Sequence, residues 1–161
     1  MVKTREIMPE DDLILAGIIR DNLKAHALDI PGTVYFDDNL NHLSDFYRAV
    51  GKRRFYYILL DDTDEIIGGV GLAEFEPFED CAELQKLYLT DKAKGRGLGY
   101  ELIRLIENKA AELGYKRMYL ETHDNLQAAI HEYEKSGFQE IEKPDAVVHA
   151  TMNRFFLKEL T

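Results

Sequence analysis

Cysteine is nearly absent from this sequence, proline is scarce, and no stretch of about 18 apolar residues occurs. Each gap excludes something. A lone thiol, Cys81, cannot close an internal disulfide, which removes a disulfide framework and agrees with a reducing compartment. The missing apolar run removes a membrane-spanning helix, and the opening MVKTREIMPEDD lacks the apolar centre of a signal peptide. A cytoplasmic location is therefore the expectation. With no Pro- or Ser-rich linker, repeat or low-complexity tract, residues 1–161 read as a single domain. Positive charge is also short: 20 Lys and Arg stand against 30 Asp and Glu, a net charge of −10. Duplex DNA and anionic lipid both reward clustered cations, so neither a nucleic acid nor a membrane is expected as partner. The histidines His26, His42, His123, His131 and His149 show no metal-ligand spacing, and no metal is expected.

Against that background one cationic segment stands out. Lys86, Lys92, Lys94 and Arg96 fall within eleven residues, and Gly95, Gly97 and Gly99 interleave with the last of them. The alternative for the charges alone is a solvated face. The glycines argue for a backbone shaped around an anion.

The surrounding patterns place this turn. Residues 2–7 read as a short strand, and residues 10–28 as a helix with Leu13, Leu15, Ile18, Ile19 and Leu23 at helical spacing. Residues 39–50 read as a second helix, with Leu40, Leu43, Phe46, Tyr47 and Val50 on one side. Strands are expected at 55–61 and 66–75, joined by the polar turn DDTDE, and at 82–90. Residues 97–113 form an amphipathic helix closed by Gly114, then come a strand at 116–122 and a helix at 126–136 closed by Gly137. A last strand pair is expected from 138–141 and 146–158. The fold class is α/β (α+β), a mixed sheet with a strand, glycine turn, helix and strand at its middle.

Three anion-binding turns compete for 94–99. A P-loop needs Lys and then Ser or Thr after its last glycine, but Tyr100 and Glu101 follow Gly99. The dinucleotide fingerprint needs a third small residue where Tyr100 stands, although Glu121 closes the next strand about where a ribose-binding acid would sit. The third pattern is (Gln or Arg)-x-x-Gly-x-(Gly or Ala), which Lys94–Gly99 matches everywhere but at its first place. With LQKLYL before it, a long helix after it and HEYEKSGF at 131–138, the sequence resembles the GCN5-related N-acetyltransferase (GNAT) superfamily over about residues 66–140.

The resemblance implies a mostly antiparallel sheet flanked by helices, with a splayed central strand. It implies acetyl-coenzyme A as acetyl donor, no metal, and an amine acceptor attacking directly in a ternary complex. The donor's pyrophosphate would lie on Lys94, Gly95, Arg96, Gly97, Leu98, Gly99 and Tyr100, at the positive end of the following helix. Leu87, Tyr88 and Leu89 would meet the pantetheine arm, with the Leu87 N–H polarising the acetyl carbonyl. Tyr133 matches the family tyrosine that protonates the leaving thiolate. Where many relatives carry a cofactor-binding Asn, this chain has Leu126, with Asn125 one step out of register.

An ammonium of pKa ~10.4 is neutral in about one molecule in 2,500 at pH 7, so a base is useful. Glu83 lies eleven residues before Lys94, the offset of the base in the histone-acetyltransferase branch. Strict alternation would put Glu83, Gln85, Leu87 and Leu89 on one strand face. Glu74, Glu76 and Glu121 are its substitutes, and a solvent-facing carboxylate is the alternative. Cys81 stands among acids that disfavour a thiolate, which argues against an acyl-cysteine. His123 is a candidate substrate-side residue. The acidic run 73–83 offers either attraction for a cationic acceptor or a solvated edge. A small metabolite, an amino acid and a protein amine all remain open as acceptors. So does a non-catalytic acyl-coenzyme A sensor of the same fold. Relatives often dimerise, so a homodimer is compatible with the resemblance and the oligomeric state stays open.

Overall fold

The polar turn 61–65 is held by Asp61, whose Oδ1 accepts from the Thr63 N–H, the Thr63 hydroxyl and the Glu65 N–H at 2.7–3.0 Å. On either side the aromatic and β-branched runs pair antiparallel as β2 (Phe55–Leu60) and β3 (Ile66–Glu74). This hairpin is the start of a seven-stranded sheet in a computed structural model that describes residues 2–148 and 151–160. The order is β1-β2-β3-β4-β5-β7-β6, with β1 Lys3–Glu6, β4 Cys81–Leu89, β5 Arg117–Thr122, β6 Gln139–Ile141 and β7 Arg154–Glu159. Among the described residues only β4 and β5 run parallel; the remaining pairs are antiparallel. The expected strand at 146–158 is shorter than read, beginning at Arg154, and its residues 149 and 150 lie outside the described residues.

Helices α1 (Asp12–Ala25) and α2 (Leu43–Tyr47) cover one face of the sheet. Helices α3 (Leu98–Glu112) and α4 (Gln127–Lys135) cover the other. The stripe that docks α1 is Leu15, Ala16, Ile19 and Leu23. Leu13 falls off that stripe and is 73% exposed, contrary to the helical reading. The second helix is also shorter than its pattern. A 3-10 turn spans Asp38–His42 before α2, and buried Asp12 of α1 accepts from the Ser44 N–H at 2.9 Å and the Ser44 hydroxyl at 2.6 Å. That carboxylate satisfies one free amide and the Ser44 hydroxyl in the first turn of α2, which favours a helix start at this point. The chain leaves the helix at Arg48, so Val50 is fully exposed rather than part of the apolar side.

The glycines of β3 make room for neighbours. A Cβ on Gly71 would lie 2.5 Å from the Tyr56 ring and 2.9 Å from that of Tyr47, both deeply buried. Gly71→Ala is therefore expected to destabilise the fold by about 1–3 kcal/mol, as overpacking does. Urea denaturation checks this, and an unchanged midpoint would refute the tight packing.

Candidate active site

Two irregularities of β4 create the site. The first is its pairing with β5, which holds only from Cys81–Arg117 to Glu83–Tyr119. Beyond Glu83 the two parallel strands diverge while each stays paired on its outer side, β4 to β3 and β5 to β7. The gap is a cleft of about 840 Å³ that reaches from α1 on one face to α4 on the other. The second is a bulge. Gly71 pairs with Gln85, yet Gly69 pairs with Tyr88, so β4 carries one residue more than β3 here. Lys86 takes up the difference in a left-handed conformation, φ +53°.

The bulge overturns the expected alternation. Glu83 and Gln85 face the α1 and α2 side, where the Gln85 amide nitrogen donates to Glu83 Oε1 at 3.0 Å. The buried Tyr47 hydroxyl donates to Gln85 Oε1 at 2.8 Å. Leu87 and Leu89, one phase later, pack against the α3 core on the opposite face. Tyr88 faces the α1 side instead.

Glu83 is largely buried at the mouth of the splay. Burial pushes its carboxyl up to about 7, the nearby Glu121 charge adds to the rise, and the Gln85 amide opposes it. Of the three substitutes, Glu121 alone lines the same cleft, accepting from the Tyr119 hydroxyl at 2.9 Å. Glu74 is tied to Arg54, whose Nε donates to it at 3.0 Å and holds its carboxyl below the usual range. Glu76 is exposed in the β3–β4 turn, outside the cleft. Cys81 is buried with its thiol pushed up to about 12 by burial, which suits a packed thiol rather than a nucleophile.

At the other end of the cleft, the turn 94–99 leads into α3. Gly95 and Gly97 have φ of +75° and +73°, and nothing lies within 4 Å of where a Cβ would stand on either. No side chain caps α3 at Gly97, so its first amides remain available. Lys94 is paired with Asp91 at 3.2 Å, Lys92 with Glu65 at 2.9 Å, and Arg96 is exposed. Leu98 is buried in the core. Gly99 is also approached by the Glu132 carboxylate of α4, which would have to swing aside for a Cβ there. Tyr100 lines the cleft with its hydroxyl buried and unpartnered among the described residues.

Tyr133 of α4 reaches the cleft between these ends. Burial, with the Tyr88 hydroxyl and Glu132 adding to it, pushes its phenol well above the usual range, so it keeps its proton at neutral pH. Asn125 donates to the His26 carbonyl at 2.9 Å, and His123 Nδ1 accepts from the Asn125 N–H at 3.0 Å. Both hold the β5–α4 turn, and neither lines the cleft. His149 lies outside the described residues. Sequence reasoning missed Asn22 of α1, which donates to the Leu89 carbonyl at 3.1 Å and braces the far end of β4. It also missed Tyr47 as the support of Gln85. Among the described residues no group of three or more His, Cys, Asp or Glu side chains is placed to hold a metal, and no helix is long and apolar enough to cross a membrane.

A sheet opened between two parallel strands beside a glycine-lined helix start is the architecture of an acyltransferase, and the comparisons agree. The profile of the acetyltransferase (GNAT) family matches residues 17–138. The uncharacterised N-acetyltransferase YjgM of Escherichia coli K12 is 34% identical over 140 residues, covering 86% of this chain and 82% of that one. Among solved structures, a GNAT-family acetyltransferase of Staphylococcus aureus Mu50 superposes with a TM-score of 0.86 over the full length of both chains, at 19% identity. A GNAT-superfamily phosphinothricin acetyltransferase of Sinorhizobium meliloti, in complex with AcCoA, gives a TM-score of 0.76 at 19% identity over 99% of this chain and 88% of that one. The chain belongs to the acetyltransferase (GNAT) family and is an acyltransferase.

Proposed function

We propose that this protein transfers the acetyl group of acetyl-coenzyme A to an amine by direct attack within a ternary complex. The observation that carries the reading is the position of Glu83, a carboxyl that lines the cleft where β4 and β5 part, held by the Gln85 amide and pushed up to about 7 by burial. At neutral pH it is divided between its two protonation states, which suits a group that must take up and release a proton in each cycle. The turn 94–99 fits the donor: open space at Gly95 and Gly97 lets successive N–H groups converge on a pyrophosphate, and the uncapped start of α3 presents its positive end there.

When bound, acetyl-coenzyme A supplies an activated thioester. The chain's own groups do the rest. Glu83, directly or through water, takes a proton from the incoming ammonium. The amine nitrogen bonds to the acetyl carbon and the carbon–sulfur bond breaks. The Leu87 N–H, on the divergent part of β4, is offered to the carbonyl oxygen as charge grows on it. Tyr133, still protonated, gives its proton to the departing sulfur and is restored by the second proton that the nitrogen loses as the amide forms. The product pair is an N-acetyl amide and free coenzyme A.

Calorimetric titration with acetyl-coenzyme A, with NAD and ATP as controls, tests the donor. Selective micromolar binding is expected, and an amine screen read by release of free thiol then tests transfer. Binding with no thiol release from any amine would leave an acyl-coenzyme A sensor instead, and no binding would defeat both readings. Tyr133→Phe is expected to lower kcat by about ten- to a hundredfold with little change in donor affinity. An unaltered kcat would reduce Tyr133 to a packing residue of the cleft.

A further inference from the structure

Lys86 lies in the cleft but has no part in the transfer chemistry. In the sequence it belongs with Lys92, Lys94 and Arg96; in the structure it does not. The bulge turns it away from the glycine turn and toward the α1 and α2 side, where the charges acting on it are Asp37 and Glu83. A lysine at φ +53° is a strained choice for a bulge, a place where glycine would sit without a steric penalty. The Tyr56 hydroxyl donates to its carbonyl at 2.7 Å and holds the backbone in that state.

The ammonium has no protein partner among the described residues. Arg5, Arg54, Arg154, Lys92 and Lys158 each form an ion pair. Lys86 lines the cleft and, among the described residues, forms neither an ion pair nor a side-chain hydrogen bond; Asp37 and Glu83 act on it only through space. Partial burial in the cleft lowers its proton affinity, and the ammonium stays open to the cleft, where a bound anion can meet it. A half-buried cation without a protein partner gains from a charge-assisted hydrogen bond to such an anion. The same cleft presents Glu83 and Glu121 as acids, so it offers both signs of charge to one bound molecule. A polyamine would be repelled by Lys86, and a simple amine would leave it unpaired.

We propose that the acceptor is zwitterionic, an amine that also carries a carboxylate, with the amine toward Glu83 and the carboxylate on the Lys86 ammonium. This inference rests on the acetyltransferase reading and narrows its acceptor. It also gives the strained bulge a purpose: it places an acid and a cation three residues apart on the same side of one strand.

The experiment is a matched-pair assay with acetyl-coenzyme A and thiol detection. One set holds the common α-amino acids, β-alanine and 4-aminobutanoate; the other holds the corresponding amines without the carboxyl group, together with spermidine. The wild-type protein is expected to prefer the carboxylated member of each pair it accepts. Lys86→Gln should lower that selectivity ratio at least tenfold, chiefly through the acceptor KM, with the acetyl-coenzyme A affinity retained. Lys86→Gly removes the cation while easing the left-handed backbone, so it guards against a folding defect and should show the same loss. Preference for carboxyl-free amines, or an equal loss on both members of each pair, would overturn the inference while leaving acetyl transfer intact. Turnover of neither set by a protein that binds acetyl-coenzyme A would overturn it together with the transferase reading.

Discussion

Glu83→Gln is expected to lower kcat/KM for the acceptor by about 10²- to 10⁴-fold near pH 8, with acetyl-coenzyme A affinity unchanged. The amide keeps the shape of the carboxyl and its contact with Gln85, so the loss reports proton removal rather than packing. The wild-type rate should rise with pH through the Glu83 value of about 7, and that limb should vanish in the variant. Stability should move the other way. In the unfolded chain this carboxyl titrates near 4.5, and in the fold its affinity for a proton is raised. The folded state thus binds more protons between these values, and stability falls as pH rises through that window. The neutral amide escapes this, so the variant is expected to be more stable than wild type at pH 8, by up to ~3 kcal/mol, and no more stable at pH 4. Thermal denaturation at the two pH values reads the difference. A full rate in a variant that gains stability would move the base to Glu121, which shares the cleft.

Gly97→Asp is expected to weaken acetyl-coenzyme A binding by about a hundredfold or more, close to 3 kcal/mol. The protein itself has space for the new side chain, since nothing lies within 4 Å of a Cβ at Gly97. The left-handed φ of +73° is one that Asp tolerates better than most residues. The fold should survive, and the penalty should come from placing a carboxylate where the pyrophosphate is proposed to sit. Gly97→Asn separates charge from bulk, because it keeps the shape without the charge. Calorimetry on the three proteins decides the matter. Asp binding as well as Gly would remove the turn from the donor site.

Much of this was legible in the sequence because the signals were local. The helix after Gly97 showed its periodicity, the polar turn at 61–65 announced the hairpin, and the glycine turn stood out in an acidic chain. Glu83 could be placed by its offset from Lys94. The bulge could not, because it uses Lys86 rather than a glycine to take the left-handed conformation. From that point alternation misassigned Leu87 and Leu89, and no propensity argument would have warned of it. The Tyr47–Gln85–Glu83 chain was hidden for another reason: Tyr47 and Gln85 stand 38 positions apart and meet because α2 packs on β2 and β3 beside β4. Gly99 carries a second feature that no motif announced, the approach of the Glu132 carboxylate from α4, a contact across elements.

The extra residue in β4 also bears on how such a protein can diversify. On the proposed reading, Glu83, Gln85 and Lys86 address the acceptor on one face of the sheet, while Leu87 and Leu89 lie on the other. Substitutions at Lys86 can then retune what is acetylated while Glu83 keeps its role and Leu87 and Leu89 keep their core contacts. A change of length here has a different character. Deleting Lys86 would restore simple alternation and leave Leu87, Tyr88 and Leu89 on their present faces, at the loss of the cation alone. Straightening the strand with Lys86 kept would instead carry Leu87 and Leu89 to the wrong face and exchange the two halves of the site.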